Sequence, residues 1–228
     1  MKKAIIISLI ATFAVCFFSS CERESSEDVN QDRIYVSYEM VYLESTDITY
    51  ARASFFFGSI TGTKLELTDP SQVTCNEDLL GFKSALAYYE KQYTGMLDTG
   101  QFVFTNTEGT TYSNMAYITE IGLPATLDTI VKGSSYELFF TGNALGTGDG
   151  VYAYIDGTGE TDGINVYQNT SGATSIVIPA TQTDNLTVGT NTLYLRKRHE
   201  TSPQESTEAG AVCAGIYQTA EVEIQVKE

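Results

Sequence analysis

The sequence has no tryptophan and only one histidine, and both scarcities limit the kinds of site it can build. A single histidine, His199, excludes a zinc site made from several histidines, and the four cysteines lack the close spacing of zinc ligands. The lack of tryptophan weakens a sugar-binding interpretation but does not end it, because tyrosine also stacks on sugar rings. The tyrosines considered for that role are Tyr88, Tyr152, Tyr154 and Tyr167, although alternating aromatic residues more often belong to a core.

Basic residues are also scarce. The chain has 13 lysines and arginines against 29 aspartates and glutamates, which gives a formal net charge of −16. Such a charge repels nucleic acid and the headgroups of anionic lipids. We therefore expect no nucleic-acid partner, while composition leaves a protein or glycan ligand unidentified.

Sequence motifs of known catalysts are missing or incomplete. No G-x-S-x-G sequence supplies a serine nucleophile for His199, which follows three basic residues and is predicted to lie at a solvated strand end. Asp98 begins the tripeptide D-T-G of aspartic proteases, but Gln101 replaces the serine or alanine expected after it. The comparable turn at residues 186–189 contains no aspartate. The sequence therefore predicts no enzyme and no catalytic residue.

The N-terminus has the layout of an export signal. Two lysines precede an apolar stretch, residues 4–18, and two serines then lead to Cys21. The apolar stretch is shorter than the roughly 20 residues that span a bilayer. The ending F-S-S-C resembles the lipobox of bacterial lipoproteins, although Phe18 stands where leucine is commonest. The resemblance implies that residues 1–20 are a signal peptide and that an acylated Cys21 anchors the protein to a membrane.

The segment directly after Cys21 is acidic and polar. Residues 21–32 include E-R-E-S-S-E-D, a composition that predicts a disordered tether. Acid-rich stretches in this position resemble the surface-export signals of Bacteroidota lipoproteins. That resemblance implies a lipoprotein of the outer membrane, exposed at the cell surface, with the periplasmic face as the alternative.

The remainder of the chain has the alternation of β-strands. In A-E-V-E-I-Q-V, residues 220–226, apolar and polar residues alternate, as they do when one face of a strand is buried and the other is wet. Similar short segments recur between clusters of glycine, asparagine and threonine. About seven short strands in about ninety residues are typical of an immunoglobulin-like sandwich. We therefore predict an all-β fold.

Two pairs of similar segments indicate an internal repeat. F-F-F-G at residues 55–58 resembles L-F-F-T-G at residues 138–142, and L-x-x-G precedes a strand at both Leu97 and Leu186. The repeat predicts two tandem immunoglobulin-like β-sandwich domains, one over residues 33–122 and the other over residues 123–228. The second L-x-x-G resembles a corner of fibronectin type III domains, and the last hundred residues resemble uncharacterised Bacteroidota lipoproteins. These resemblances imply a fold and a compartment, and no activity.

One segment has two interpretations. Residues 77–93 carry apolar side chains at the three- and four-residue spacing of a helix, and Asn76 could cap it. The repeat requires a turn followed by a strand near residues 85–93 instead. We favour the turn and strand.

Two further sets of residues are candidates for a covalent or metal site. Cys75 and Cys213 could form a disulfide in an oxidising envelope, but isolated cysteines are as often small buried residues. Asp156, Glu160 and Asp162 alternate in a glycine-rich segment and could bind calcium. A solvated hairpin tip explains the same residues without a metal.

The leading functional hypothesis is a non-catalytic envelope lipoprotein that works as a binding, adhesion or scaffolding module. A hydrolase whose carboxylates come together only in three dimensions is one alternative, and it would need two close carboxylates with raised pKa values. A pilin-like subunit is the other, and an open groove for a donated strand would support it.

Overall fold

The protein is almost entirely β-structure, as predicted. A computed structural model describes residues 23–156 and 163–228. The strands in these residues are β1 (Arg23–Ser25), β2 (Ile34–Leu43), β3 (Ile48–Phe57), β4 (Lys64–Glu66), β5 (Gln72–Cys75), β6 (Asp78–Leu79), β7 (Gly81–Lys83), β8 (Tyr88–Thr94), β9 (Thr99–Thr105), β10 (Thr111–Tyr117), β11 (Ile130–Val131), β12 (Tyr136–Phe139), β13 (Asp149–Asp156), β14 (Ile164–Gln168), β15 (Ser175–Ile178), β16 (Gly189–Thr201), β17 (Ala211–Gln218) and β18 (Val222–Lys227).

Helical structure is limited to short pieces. Two 3-10 turns, Ser26–Asp28 and Gln31–Arg33, precede β2, and one short helix, α1 (Ala180–Thr183), follows β15. Among the residues described, no helix has the length and apolar character needed to cross a membrane.

The first half of the chain folds as a sandwich of two sheets. One sheet contains β2 and β3, with β4 and β8 both pairing with β3, and the other has the strand order β10-β9-β5-β6. Aromatic rings connect the two sheets: the centroids of Tyr38 and Phe102 are 5.1 Å apart, and those of Phe55 and Phe104 are 4.8 Å apart. These four side chains are at most 1% exposed. The interleaved inner faces make the core expected of a sandwich.

The second half is built in the same way. Strand β13 pairs with β14 on one side and with β16 on the other, and β16 also pairs with β18. The short sheet of β12 and β15 covers the inner face of this larger sheet. Leu138 and Ile178 from the short sheet belong to the same buried cluster as Val151 and Ile155 from β13. Alternate residues along each strand thus supply this core, as the sequence pattern predicted.

Strand β17 joins the two halves. It pairs with β16 antiparallel along one edge and with β2 parallel along the other. The parallel register runs from Ala211 opposite Val36 to Gln218 opposite Leu43. One sheet therefore passes through both sandwiches, and we call it the shared sheet.

The prediction of separate cores for residues 33–122 and 123–228 is therefore wrong, although both halves are sandwiches. Buried residues from both segments form a single hydrophobic cluster. At Gly215, in the middle of β17, a side chain would collide with the backbone carbonyl of Tyr117 from the first half. Strand β17 is buried without alternation, which is the pattern of a central strand covered on both faces.

The two similar turns that suggested a repeat have partly different structures. Gly58 and Gly142 both adopt positive φ angles, 80° and 106°, after an aromatic strand. In the other pair, Gly189 has a φ of 120°, whereas Gly100 lies in β9 where a side chain would collide with Met40. Shared turn chemistry explains the first similarity, and the second pair uses glycine for different reasons.

The ambiguous segment after Asn76 forms a turn and strands. Asn76 and Glu77 have φ angles of 49° and 71°, which exclude the start of a right-handed helix. Strands β7 and β8 then form a hairpin that turns at Ala87, another residue with positive φ. The predicted strand near residues 85–93 is confirmed.

The expected disorder of residues 21–32 is wrong for the part that the structure describes. Strand β1 pairs parallel with β4, and Ser26 is fully buried. The side chain of Ser26 accepts a hydrogen bond from the backbone of Thr68, and Gln31 donates one to the carbonyl of Ser26. A polar segment is ordered here because its side chains satisfy buried backbone groups rather than supplying apolar area.

Candidate binding site on the outer face of the shared sheet

The tyrosines considered from the sequence are not core residues. The side chains of Tyr152 and Tyr154 alternate with buried Val151, Ala153 and Ile155 along β13, and so they point to the outer face of the shared sheet. Tyr167 on β14 is 49% exposed, and Tyr88 is only partly buried. The preferred interpretation of these side chains as core is therefore wrong.

Four tyrosine rings form a continuous row across three strands, which we call the tyrosine row. The ring centroids of Tyr167 and Tyr152 are 4.5 Å apart, and those of Tyr152 and Tyr154 are 5.9 Å apart. Tyr194 on β16 continues the row, 4.8 Å from Tyr154 with an angle of 11° between the ring planes. Sequence reasoning missed Tyr194, although its position in the alternation of β16 could have placed it on this face.

A depression opens beside one end of the row. Its volume is about 270 Å³. We call it the tyrosine depression, and the residues that line it are Gly148, Gly150, Tyr152, Tyr167, Arg198 and Glu200.

Two glycines make room for the tyrosine depression. A Cβ atom at Gly150 would collide with the hydroxyl of Tyr167 and would lie 2.7 Å from its Cε2 atom. At Gly148, with φ of 83°, a side chain would collide with the carbonyl oxygen of Glu200. The phenol end of Tyr167 therefore lies directly against the backbone of β13, where a larger residue would push it away.

An ion pair forms the opposite wall of the depression. Arg198 donates from Nε to Glu200 at 2.6 Å and from Nη1 to Glu39 at 2.7 Å. Burial disfavours the charge of Arg198, but the bonds to Glu39 and Glu200 outweigh it and raise the pKa of the guanidinium. Because Glu39 lies on β2, the wall is fixed by residues from both halves of the chain.

A buried charged cluster lies on the inner side of the same strands. Lys197 Nζ is 3.3 Å from Asp149, and His199 Nδ1 is 2.7 Å from the other carboxylate oxygen. The backbone N–H of Gly146 also donates to Asp149 at 2.8 Å. Burial alone would raise the pKa of Asp149, but the bonds from Gly146 and His199 and the charge of Lys197 hold it below the usual value. The cluster fixes the turn that leads into β13.

The prediction of a solvated strand end at His199 is therefore wrong. Asn191, Leu193 and Leu195 are buried on the inner face of β16, and Lys197, 3% exposed, continues the same alternation. Extending this two-residue period would have placed His199 on the inner face. Its partner Asp149 is 50 positions away, and no local pattern indicates that pairing.

The carboxylates of the structure do not match the hydrolase alternative. Among the described residues, the carboxyl groups with shifted pKa values are Asp149 and Glu90, and both shifts are downward. Burial of Glu90 opposes the shift, and hydrogen bonds from Gln92 and Arg52 outweigh it. Asp98 is an exposed bend residue directly before β9, and the threonine and glycine of the D-T-G sequence are the first two residues of that strand. These groups are suited to ion pairs and not to proton donation.

The two candidate disulfide cysteines are free thiols. Cys75 and Cys213 are both buried, and Cys75 lies 3.9 Å from the sulfur of Met40. Burial raises the pKa of Cys75 to about 12 and that of Cys213 to about 11. Both behave as small core residues, which was the second interpretation of the sequence.

Three predicted residues lie outside the described part of the chain: Cys21, Glu160 and Asp162. Asp156, the remaining candidate calcium ligand, is exposed at the end of β13. Within residues 23–156 and 163–228, no group of three potential ligands is arranged to hold a metal ion. The calcium hypothesis stays a prediction for the acidic tip.

No family model and no curated protein matches the sequence of this all-β chain. Among solved structures, it is similar to the D1–D4 ectodomain fragment of ICAM-5 at 10% identity and a TM-score of 0.26, with 85% of this chain and 51% of that chain covered. Chicken CNTN1 domains FN1–FN3 give 8% identity and a TM-score of 0.24, with coverage of 83% and 66%. Scores this low carry no conclusion about function.

Proposed function

We propose that this protein is a non-catalytic binding module of the bacterial cell envelope. The observation that carries the proposal is the tyrosine row with its adjoining depression on the outer face of the shared sheet. Tyrosines offer large, rigid contact surfaces with a polar tip, and they are enriched at binding interfaces for that reason. Sites on sheets are held more firmly than sites on loops.

The chemistry of the site favours binding over catalysis. Glu200, the one carboxylate in the depression, is paired with Arg198. The nearby Asp149 is held ionised on the inner face by Lys197 and His199. General acid catalysis needs a carboxyl group whose pKa is raised towards neutrality, and the surroundings of Asp149 lower its pKa instead.

The envelope location is part of the proposal and depends on the sequence F-S-S-C. We propose that Cys21 is acylated and that the protein is an outer-membrane lipoprotein exposed at the surface. Metabolic labelling with a fatty acid tests this: the wild-type protein incorporates the label, and Cys21→Ser does not. Cys16→Ser is the matched control, because it alters a cysteine within the signal and leaves the acceptor intact. Labelling of Cys21→Ser at the wild-type level would refute the anchor.

Binding is tested with immobilised envelope fractions and the detergent-solubilised full-length protein. We expect Tyr167→Ala to weaken binding, since this exposed ring closes one side of the depression. Tyr117→Ala is the matched control, because Tyr117 is also an exposed strand tyrosine, 39% accessible, and lies on β10 away from the site. Equal binding by wild type and Tyr167→Ala would show that the outer face is not the binding surface.

A further inference from the structure

We infer that the tyrosine depression binds a saccharide, with a sugar ring packed against Tyr152 and Tyr167 and its hydroxyls bonded to Arg198 and Glu200. The inference deepens the proposed function and depends on it. Three properties of the described residues support it, namely the size of the depression, the donors and acceptors in its wall, and its charge.

The size of the depression fits one ring. Pockets for drug-sized molecules have volumes of roughly 300–1,000 Å³. The tyrosine depression, at about 270 Å³, lies just below this range. From there the tyrosine row continues through Tyr154 to Tyr194 as a surface of ring faces. A single ring therefore occupies the depression, and further rings of an oligosaccharide lie along the row.

The wall of the depression suits hydroxyl groups. A hydroxyl both donates and accepts hydrogen bonds, so its best partners are a donor and an acceptor side by side. Arg198 has five N–H groups, of which the bonds to Glu39 and Glu200 engage two, and Glu200 supplies carboxylate oxygens next to it. The apolar C–H face of the same sugar ring packs on the tyrosine faces opposite, so both sides of the ligand are satisfied.

The charge of the depression favours an uncharged ligand. Its lining has one positive group and one negative group, Arg198 and Glu200, which already neutralise each other. A nucleic-acid base also stacks on aromatic rings, but its phosphates would meet a chain with a net charge of −16. A peptide is the other class of ligand that uses tyrosine-rich surfaces, and the experiment below distinguishes it.

The test uses an array of immobilised neutral and acidic oligosaccharides and the full-length protein in detergent. We expect the wild-type protein to bind at least one saccharide. Gly150→Ala and Tyr167→Ala should each weaken that binding by about tenfold or more, because the first displaces the Tyr167 ring and the second removes it. Tyr117→Ala should bind like wild type. Gly150→Ala adds only a methyl group to a strand, so unchanged melting of this variant shows that the fold is intact.

Two outcomes would overturn the saccharide inference: no binding to any saccharide, or binding that Gly150→Ala and Tyr167→Ala leave unchanged. A second experiment distinguishes failure of the saccharide inference from failure of the proposed function. Binding of the protein to envelope fractions is measured before and after the fractions are oxidised with periodate, which cleaves the vicinal diols of sugars. Loss of binding after oxidation supports the saccharide. If both fractions bind wild type equally and Gly150→Ala weakens both, the binding module stands and its ligand is a peptide.

Discussion

Replacing Asp149 with asparagine removes the only negative charge of the buried cluster and leaves Lys197 without a counter-ion. Lys197 is 3% exposed, so its ammonium group cannot regain water without moving the strand. Asparagine has nearly the same shape as aspartate and can still accept the hydrogen bond from Gly146. The perturbation is therefore almost purely electrostatic.

The magnitude follows from this burial. Removing one partner of a buried ion pair destabilises a protein by about 3–5 kcal/mol. His199 is 22% exposed in its side chain, so water reaches one end of the cluster, and we expect the low end of that range. At about 2–4 °C per kcal/mol for a chain of this size, a loss of about 3 kcal/mol lowers the melting temperature by about 6–12 °C.

The assay is thermal unfolding of the full-length protein, followed by circular dichroism at several pH values. The pKa of Asp149 is lowered in the folded state, so the ionised group stabilises the fold above its unfolded pKa of about 3.9, and this stabilisation is lost as the pH falls through the folded pKa. The difference between wild type and Asp149→Asn should therefore be full near pH 7 and shrink below pH of about 4.

Two further variants make the result decisive. Glu200→Gln is the matched acid-to-amide control, and because the side chain of Glu200 is 50% exposed we expect a change of less than about 1 kcal/mol. The double variant Asp149→Asn/Lys197→Met removes both charges and should melt above the single variant. A single variant that melts within 2 °C or so of the control would refute the reasoning, because it would mean that Lys197 is hydrated.

The remaining predictions concern stability and thiol chemistry. Gly215→Ala should lower the free energy of unfolding, measured by urea titration, by about 3 kcal/mol or more, because the added methyl group overlaps the backbone carbonyl of Tyr117. A loss below about 1 kcal/mol would contradict the packing of β17. Ser26→Ala should lower it by about 1 kcal/mol, since Thr68 loses its hydrogen-bond acceptor, and no change would indicate that the segment is unfolded in solution. Cys75 and Cys213 should resist a thiol reagent at pH 8 and react only in denaturant, because burial keeps both protonated; rapid labelling of the native protein would contradict this.

The parts of this fold that could be predicted are those encoded locally. Two-residue alternation and turn residues predict the β class and most strands, whereas the preference for a turn and strand over a helix at residues 77–93 depends on the comparison between the two halves of the chain. These signals depend on neighbours in sequence, which the chain itself displays. The same alternation divides β13 into two faces, and Val151 and Ala153 fill the buried face, which leaves the tyrosines of β13 outside the core.

The parts that could not be predicted depend on distant pairings. The parallel contact of β2 with β17 joins residues such as Val36 and Ala211, and nothing near either residue announces its partner. The same holds for the bond between Asp149 and His199. The order of residues 23–32 was missed for another reason: composition describes how much apolar area a segment buries, whereas Ser26 and Gln31 are held by hydrogen bonds to specific backbone groups.

The order of strands in the shared sheet sets the distance between the proposed lipid anchor and the tyrosine row. Strand β1 begins at Arg23, no more than about 7 Å of chain from Cys21, so acylation of Cys21, as proposed above, would keep the first edge of the sheet close to the lipid surface. The main path runs β1-β4-β3-β2-β17-β16-β13-β14, which places Tyr167 on the last strand, seven spacings of about 4.8 Å away, or about 34 Å. With the proposed anchor at one edge and the tyrosine row towards the opposite edge, the sheet itself would act as the spacer between the lipid surface and the proposed ligand site, in place of a flexible tether.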